Sequence, residues 1–278
     1  MEKEPAYISP YLQKGLDLFN NRHYLVVQRN DLIQQNRYQL SKNSGNSLSL
    51  LEHKVLLYII SKIKPDDTEL KEQVFNIKDF CEVVGIGTKG DNYKDLKSAI
   101  TKLKSRVMWL YTEDAEITVS WIDKAYIYKK SGQVKIRLDE DLKPYLISLR
   151  DNYTQFPLSA VLQMRSKYGI ALYQLLKSYL FKSKVISFNI EDLKEILDCS
   201  SYNNFTNFKK KVLEPALNDI NTCSELNVSV SYEKENRTYK RAVFYVREIL
   251  KSGSLEDREE VAKRKKENDP QQTTLYDL

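Results

Sequence analysis

The sequence contains Phe75-Asn76-Ile77-Lys78-Asp79-Phe80 and, 113 residues later, the related stretch Phe188-Asn189-Ile190-Glu191-Asp192-Leu193. Each copy follows an apolar stretch, which covers 55–60 before the first and 170–176 before the second. Each copy precedes a polar turn, a lysine-rich amphipathic stretch and runs of alternating polar and apolar residues. An interval of about a hundred residues is the length of a domain and exceeds the roughly 20–50 residues of solenoid repeats. The sequence therefore predicts two copies of one small domain in tandem.

The first copy has the pattern of a helix, a strand, two further helices and a β-hairpin. The predicted elements are a helix over 51–63 that Pro65-Asp66-Asp67 breaks, a strand over 74–77, a helix over 78–84 that ends at Gly85, a helix whose apolar stripe is Tyr93, Leu96, Ile100, Leu103 and Val107, and strands over 117–121 and 134–138 around a hairpin at 129–132. A stripe whose members recur every three or four residues buries one face of a helix. The opposite face is expected to meet solvent, and it carries Lys94, Ser98, Thr101, Lys102 and Ser105.

The second copy repeats this order. Its predicted elements are a helix over 166–181, a strand over 185–190, a helix over 191–197, a turn over 198–203, a helix over 204–221, and strands over 226–232 and 238–248 around a hairpin tip at 233–237. The long helix has an apolar stripe of Phe205, Phe208, Val212, Leu213, Ala216, Leu217 and Ile220. Pro215 removes one helical hydrogen bond, so we expect a bend there. The order is that of a winged helix, and the predicted fold class is α+β, with two tandem winged-helix domains of similar fold and disordered terminal tails.

Lysine and asparagine on the outer faces of the long helices favour a DNA partner. In a major groove an outward Asn can bridge adenine N6 and N7, a Lys can reach guanine O6 and N7, and hairpin-tip cations can bind phosphates. The residues expected to contact DNA are Lys94, Lys97, Ser98, Thr101, Lys102, Lys129 and Lys130 in the first copy, and Asn203, Asn204, Asn207, Lys210, Lys211, Lys234 and Arg237 in the second. The helices alone leave open that these lysines only meet water; the tandem repeat and the paired hairpins favour DNA.

Composition is that of a globular chain without a membrane or secretion segment. The 278 residues allow about two domains, and the 41% hydrophobic and 29% charged fractions are ordinary. No window approaches about 18 uninterrupted apolar residues, and no basic region leads into an apolar run at the N-terminus. Cys81, Cys199 and Cys223 are far apart and odd in number, so they form neither a disulfide framework nor a zinc clip. We therefore expect a cytoplasmic protein with no membrane partner.

The motifs of catalysis are missing. The stretch 85–90 matches GxGxxG, but a predicted helix precedes it, whereas a dinucleotide site needs a strand there. The sequence has no GxxxxGK[ST] stretch, which argues against a P-loop ATPase. His23 and His53 are the only histidines and cannot form an HxH metal pair, which argues against a metal-dependent nicking enzyme. We therefore predict no enzymatic activity, no catalytic residues, no metal and no cofactor.

Several segments resemble the plasmid replication initiator (Rep) proteins that have two winged-helix domains. The opening is similar in Asn30-Asp31-Leu32-Ile33, in Arg37-Tyr38-Gln39-Leu40, in Leu51-Glu52 and in the apolar 55–60 helix. The string FKKKVLEPALNDIN over 208–221 resembles the family's second recognition helix, including its internal proline. Lysine or arginine positions at the start of that family helix match Lys209, Lys210 and Lys211. The resemblance covers roughly 24–250.

The resemblance implies an initiator of theta-type plasmid replication. Such proteins bind repeated origin sites, called iterons, as monomers and help to open the duplex; as dimers, associating largely through the first domain, many repress their own promoter. Two similar domains can enter successive major grooves about one helical turn apart. Two alternatives remain: a twin winged-helix transcriptional regulator without an initiator role, and a protein-interaction module whose lysine faces bind no DNA.

The predicted division is an N-terminal arm at 1–23, a first winged-helix domain at 24–150 for dimerisation and DNA contact, a second at 151–250 for the main iteron reading, and a charged tail at 251–278. A linker is expected near 150–157. Near the end, Gln272-x-x-Leu275-Tyr276 is similar to the short peptide with which bacterial replication proteins dock on the sliding clamp. The motif predicts that Gln272, Leu275 and Tyr276 bind this host replication protein, unless the match is due to chance or the tail packs on the second domain.

Overall fold

The structure is a computed structural model that describes residues 25–38, 48–64, 67–84, 90–111, 114–147, 149 and 152–249. The N-terminal arm, the charged tail with its clamp-like motif, Pro65, Asp66 and the predicted helix end at Gly85 lie outside the described residues, and the predictions about them stay predictions. Within the described ranges, no helix combines the length and the apolar character that crossing a membrane requires.

The first part of the chain alternates short strands with helices. In chain order its elements are β1 (Leu25–Arg29), α1 (Asn30–Tyr38), α2 (Leu50–Ile60), β2 (Gln73–Asn76), α3 (Ile77–Val84), α4 (Gly90–Ser105), β3 (Val107–Tyr111), β4 (Glu116–Ser120), β5 (Ile122–Tyr128), β6 (Gln133–Leu138), a 3-10 turn (Glu140–Leu142), α5 (Lys143–Leu146) and β7 (Tyr153–Pro157). Strands β2, β6 and β5 form one antiparallel sheet in the order β2-β6-β5. Together with α2, α3 and α4, this sheet makes a winged-helix unit.

The second part repeats the unit with the same topology. Its elements are α6 (Leu158–Leu162), α7 (Lys167–Tyr179), β8 (Val185–Asn189), α8 (Ile190–Ile196), α9 (Phe205–Phe208), a π-helical turn (Lys209–Leu213), α10 (Glu214–Cys223), β9 (Leu226–Glu235) and β10 (Thr238–Glu248). The sheet order is β8-β10-β9, in which the first strand of the unit again pairs with its last strand. The predicted duplication and the fold class are therefore confirmed.

The two hexapeptides lie at the same place in the two units. Each supplies the end of the first strand and the start of the next helix: Asn76 and Asn189 are the last strand residues, and Ile77 and Ile190 begin α3 and α8. Each copy starts with a buried phenylalanine, and Phe75 packs edge-on against Tyr58 of α2 with ring centroids 5.2 Å apart. The repeated sequence therefore encodes the junction between the first strand of each unit and the helix that precedes the recognition helix.

A capping box defines the start of α2. The Ser49 hydroxyl accepts a hydrogen bond from the Glu52 backbone N–H, and the Glu52 carboxylate accepts one from the Ser49 backbone N–H. These two bonds satisfy backbone donors that the first turn of a helix leaves unpaired. The helix ends at Ile60, earlier than the predicted position 63, with Ser61 as its C-terminal cap.

The strand pairing of the first unit differs from the prediction. The predicted strand over 117–121 does not pair with 134–138: β4 pairs with β3 in a separate hairpin, and the partner of β6 in the predicted hairpin is β5. Val107, assigned to the buried stripe of α4, is the first residue of β3 and is 49% exposed. The helix ends at Ser105 because a run of β-branched and aromatic residues, VMWLY, follows and favours a strand. Leu96, Ile100 and Leu103 are buried as predicted, and Tyr93 is half-buried.

The predicted linker near 150–157 contains a strand. Within β7, Thr154 and Phe156 point inward and are buried, and the whole strand pairs antiparallel with β1 from Leu25↔Pro157 to Arg29↔Tyr153. The alternation covers only five residues, too short to stand out in the sequence. The start of the described chain is therefore paired with the segment that joins the two units.

The two units share a packed boundary. The Gln28 side-chain amide donates to the Gln174 side-chain oxygen at 2.8 Å, and both side chains are buried. Lys54 of α2 interacts electrostatically with the carboxylate of Asp219 in α10; burial lowers the pKa of Lys54 to about 8, while Asp219 opposes that shift. Burial also raises the pKa of Asp219, although its carboxylate accepts hydrogen bonds from the backbone N–H groups of Arg165 and Ser166. Apolar packing and a small set of buried polar contacts hold the units against each other.

Candidate nucleic-acid interface

A cap and an apolar stripe position the long helix of the second unit, which we call the 205–223 helix (α9, the π-helical turn and α10). The Asn204 side-chain oxygen accepts hydrogen bonds from the backbone N–H groups of Thr206 at 2.7 Å and Asn207 at 3.3 Å, so it caps the first turn. The predicted stripe lies inward, with Phe208, Val212, Leu213, Ala216 and Ile220 buried and Phe205 and Leu217 half-buried. The exposed face carries Thr206, Asn207, Lys210, Lys211 and Glu214.

The helix widens just before Pro215. Residues Lys209–Leu213 form a π-helical turn, in which the Glu214 backbone N–H donates to the Lys209 carbonyl five residues earlier. A proline ring clashes with the carbonyl four residues before it and offers no N–H to the helix. The wider turn accommodates both the clash and the missing N–H. The disturbance expected at Pro215 is therefore a change of helical register, and it lies in the turn before the proline. This register sets which side chains follow Lys210 and Lys211 on the outer face.

Aromatic rings join the start of this helix to its hairpin. Phe205 stacks on Tyr239 of β10 with centroids 4.1 Å apart, and it meets Tyr232 of β9 edge-on at 5.1 Å. Two lysines lie over these rings: Lys234 is 4.5 Å from the Tyr239 centroid and Lys209 is 5.6 Å from the Tyr232 centroid. Burial, with a smaller contribution from the Glu214 carboxylate, raises the pKa of Tyr232 to about 12. The hairpin and the helix therefore present one connected surface.

The hairpin tip is a two-residue turn. Asn236 and Arg237 both have positive φ, 48° and 67°, the conformation of the tight turns that match the twist of a β-hairpin. Asparagine tolerates this conformation well, whereas arginine rarely adopts it. The turn leaves Lys234 and Arg237 exposed beside the helix start. Exposed cations of this kind are among the groups that bind phosphate oxygens in protein–DNA complexes.

The first unit offers a second basic face. On α4, Lys94, Lys97, Ser98, Thr101 and Lys102 are all exposed. The Thr101 hydroxyl donates to the Lys97 carbonyl at 2.8 Å. The turn between β5 and β6 holds Lys129 and Lys130, which are exposed as well.

Lys102 interacts with a buried carboxylate, which the sequence did not indicate. Its ammonium group lies 4.0 Å from the carboxylate of Glu52, which is buried and also pairs with Arg106 at 2.8 Å. Arg106 is mostly buried, so this cation anchors the end of α4 to α2 and exposes little of its side chain to solvent. This ion pair, which the sequence did not reveal, therefore holds α4 in place and fixes the direction of its exposed face.

The sequence reasoning missed an aromatic surface on β5. Tyr126 and Tyr128 are 38% and 45% exposed, and their rings are nearly parallel, 13° apart, with centroids separated by 6.4 Å. Lys124 and Lys135 lie over the Tyr126 ring at 5.3 Å and 5.1 Å. The alternation Lys124-x-Tyr126-x-Tyr128 is the signal that could have found this surface, because alternate residues of a strand share one face.

The described residues do not form a metal or thiol centre. No group of three or more His, Cys, Asp or Glu side chains in the described ranges is arranged to hold a metal ion. Burial and the neighbouring Asp198 raise the pKa of Cys199 to about 12, so its thiol is a poor nucleophile at neutral pH. The geometry of the two exposed faces suits binding of a polyanion.

Sequence comparison assigns the family. The profile described as the first winged-helix domain of initiator replication proteins matches residues 25–177, more than half of the chain. The profile described as the second winged-helix domain matches residues 189–246. The chain belongs to the initiator replication protein family. The resemblance seen in the sequence is therefore confirmed for family and fold.

Three proteins are similar to this initiator protein at low sequence identity. An Escherichia coli protein described as an uncharacterized 27.6 kDa protein is 23% identical over 233 residues, which cover 80% of this chain and 95% of the relative. A crystal structure of the Pi initiator protein in complex with iteron DNA aligns with a TM-score of 0.67 and 20% identity, covering 81% of this chain and 98% of that chain. Domains 2 and 3 of RctB align with a TM-score of 0.49 and 11% identity, covering 75% of this chain and 83% of that chain.

The structure places the residues expected to contact DNA on two surfaces of the initiator. In the second unit, Asn207, Lys210, Lys211, Lys234 and Arg237 lie on the helix and the hairpin tip, whereas Asn203 and Asn204 lie in the turn before the helix. The capping role of Asn204 occupies its side-chain oxygen, so only its amide N–H groups are available to a ligand. The first-unit residues lie on α4 and at the β5–β6 turn. Their contacts with DNA stay a prediction.

Proposed function

We propose that the protein is a sequence-specific DNA-binding initiator of theta-type plasmid replication that binds iteron repeats at its origin as a monomer. Membership of the initiator replication protein family supports this role, as does the fold that it shares with a Pi initiator crystallised with iteron DNA. The observation that carries the proposal is the exposed face of the 205–223 helix, where Asn207, Lys210 and Lys211 project beside the cationic hairpin tip.

Each unit supplies one recognition helix and one cationic hairpin. On the 205–223 helix, Asn207 and Lys211 lie four residues apart and are both exposed, so they are spaced to read neighbouring base edges. Lys234 and Arg237 in the second unit, and Lys129 and Lys130 in the first, bind phosphates and set the register. The Phe205–Tyr239 stack keeps the base-reading and phosphate-binding groups of the second unit in a fixed relation.

The same protein represses its own gene as a dimer that associates through the first unit. Support comes from the β3–β4 hairpin, whose two strands pair with no further strand among the residues that the structure describes. On β3, Val107 and Trp109 are 49% and 39% exposed, and they lie on the same face of the strand. An exposed apolar edge strand is a template for pairing with another chain. We place the dimer contact on this hairpin.

Host replication proteins are proposed as further partners, with the sliding clamp bound by Gln272, Leu275 and Tyr276 of the tail. A peptide spanning 268–278 should bind the purified clamp, and the same peptide with Leu275→Ala and Tyr276→Ala should not. Equal, weak binding of both peptides would show that this tail does not bind the clamp.

An origin assay separates an initiator from a transcriptional regulator with the same domains. DNA flanking the gene, searched for direct repeats, is cloned into a vector that lacks its own origin, and the protein is supplied in trans. We expect autonomous replication that requires the repeats and is lost with Asn207→Ala/Lys211→Ala. A protein that binds a single palindromic operator and cannot sustain the vector is a regulator instead.

A further inference from the structure

The solvent face of the first sheet carries a row of aromatic rings and cations. Tyr126 and Tyr128 stand on the same face of β5, and Lys135 of β6 lies directly across from Tyr126 in the strand pairing. Val74 of β2, 50% exposed, is the partner of Lys135 on its other side. In the strand order β2, β6 and β5, the neighbouring side chains on this face are therefore apolar, cationic and aromatic.

The tyrosine rings are arranged as a stacking surface. The two rings are nearly parallel, and their 6.4 Å centroid separation is close to twice the roughly 3.4 Å between stacked bases. Both rings are more than a third exposed, so a planar ligand can reach them without unfolding the sheet. Bases stack on aromatic side chains irrespective of sequence, because every base has a π-face. In a duplex those faces are hidden within the base stack, so only unpaired bases can use such a surface.

Cations surround the rings, and the flexible lysine side chains over Tyr126 can swing aside from a stacked base to reach the phosphates of a bound strand. Lys124 and Lys135 sit over the Tyr126 ring, and Lys129 and Lys130 follow at the adjoining turn. Lys135 is also paired with Glu72 at 2.7 Å. Over the ranges that the structure describes, no carboxylate forms an ion pair with Lys124, Lys129 or Lys130. Aromatic rings interleaved with unneutralised cations are the combination with which single-stranded nucleic acids are bound.

From this surface we infer a second nucleic-acid site: Tyr126 and Tyr128 stack unpaired bases of a single strand, and Lys124, Lys129 and Lys130 bind its phosphates. The role we give it rests on the proposed function, since an initiator that opens a duplex exposes single strands beside itself. Recognition uses bases and phosphates common to DNA and RNA, so the test below distinguishes two sources of the strand, a separated origin strand and a transcript. The site shares Lys129 and Lys130 with the phosphate contacts proposed for duplex DNA, whereas Tyr126, Tyr128 and Lys124 belong to the single-strand site alone. It is separate from the exposed face of the 205–223 helix, which lies in the other unit.

The test uses the full chain and fluorescence anisotropy with labelled single-stranded oligonucleotides about 15 nucleotides long, as DNA and as RNA of the same sequence, beside the duplex repeat DNA. The variant Tyr126→Ala/Tyr128→Ala should bind single strands at least about tenfold more weakly, since stacking contributes the equivalent of roughly five- to 150-fold per base. Its affinity for the duplex should change less than about twofold. Tyr126→Phe/Tyr128→Phe keeps the rings and should bind single strands like the unchanged protein.

Tyr245→Ala is the matched control, because Tyr245 is a 46% exposed strand tyrosine in the second unit. It should bind single strands normally, and thermal melting should show that each variant is folded. Tighter binding of the DNA oligonucleotide than of the RNA supports the separated origin strand, and the reverse supports a transcript. Unchanged single-strand binding by the folded double-alanine variant, or equal losses on single strands and duplex, overturns the inference. Failure of the unchanged protein to bind duplex repeats, with single-strand binding retained, overturns the proposed function and leaves this site standing.

Discussion

Phe205, the first residue of the 205–223 helix, stacks on Tyr239 of β10 with ring centroids 4.1 Å apart and planes 22° apart. This contact ties the start of the helix to the hairpin that carries Lys234 and Arg237. A rigid connection matters because base edges and phosphates must be engaged at the same time, and ordering either group on binding costs affinity.

Replacing Tyr239 with alanine should therefore weaken binding to the repeat DNA about tenfold, equivalent to about 1.4 kcal/mol, because the hairpin is no longer fixed against the helix. Tyr239→Phe keeps the ring stack and should bind normally. Affinity measured by anisotropy on one repeat, with circular dichroism to confirm folding, checks this. Equal losses for the alanine and phenylalanine variants would show that the hydroxyl, and not the stack, is responsible.

Glu52 is predicted to be the structural anchor of the first recognition helix. Its buried carboxylate pairs with Arg106, approaches Lys102 and caps α2, so Glu52→Ala leaves a mostly buried arginine without its anion. Removing one partner of a buried ion pair costs about 3–5 kcal/mol, and we expect a loss of about 3 kcal/mol in the free energy of unfolding. Urea denaturation measures it. Glu69→Ala, which removes an exposed glutamate, is the control and should change stability by less than about 0.5 kcal/mol.

Lys54 should make stability depend on pH at the boundary between the units. Its pKa is lowered to about 8 in the folded protein, against an ordinary value of 10.5, so between these pH values the unfolded chain binds more protons. Stability from this group therefore rises as pH increases from 8 to 10.5, by about 3 kcal/mol. Lys54→Met removes the contribution. The difference in unfolding free energy between the two proteins should shift by this amount across that window, and a constant difference would show that Lys54 titrates normally.

Trp109 and Val107 are predicted to form the dimer contact. A lysine in place of an exposed apolar edge residue opposes pairing between chains, so Trp109→Lys should weaken the dimer at least about tenfold. Val185→Lys, at a 50% exposed strand position of the second unit, should leave the dimer unchanged. Sedimentation equilibrium over a range of protein concentrations gives the dimer dissociation constant. The hairpin is not the interface if Val185→Lys has the larger effect.

The sequence correctly predicted the elements that show a regular pattern of apolar residues over many positions and whose interactions lie within a single element. The stripe of the 205–223 helix and the repeated junction at Phe75 and Phe188 follow from side-chain patterns within one element. The pairing of β1 with β7 joins residues that are far apart in the chain, and the pattern of five residues in β7 was too short to reveal it. Val107 was misassigned because the spacing of a helix stripe can continue by chance into the next strand.

The candidate site was predicted in part. Exposed lysines and asparagines on two helices were accessible from periodicity, because an apolar stripe fixes the opposite face. The capping role of Asn204 and the π-helical turn before Pro215 depend on backbone geometry that residue types alone do not specify. The anchoring of Arg106 by Glu52 connects residues 54 positions apart, and neither has a local pattern that indicates the other.

The central claim is that the 205–223 helix reads bases while the hairpin binds phosphates, and affinities on matched and scrambled repeat DNA at several salt concentrations test it most directly. Asn207→Ala and Lys211→Ala should each cost about 1–3 kcal/mol on the matched repeat and far less on scrambled DNA. Lys234→Ala should weaken both DNAs alike and reduce the salt dependence, and Lys184→Ala, which removes an exposed lysine beside β8, should change neither. Equal losses for Asn207→Ala on matched and scrambled DNA would contradict base reading by this helix.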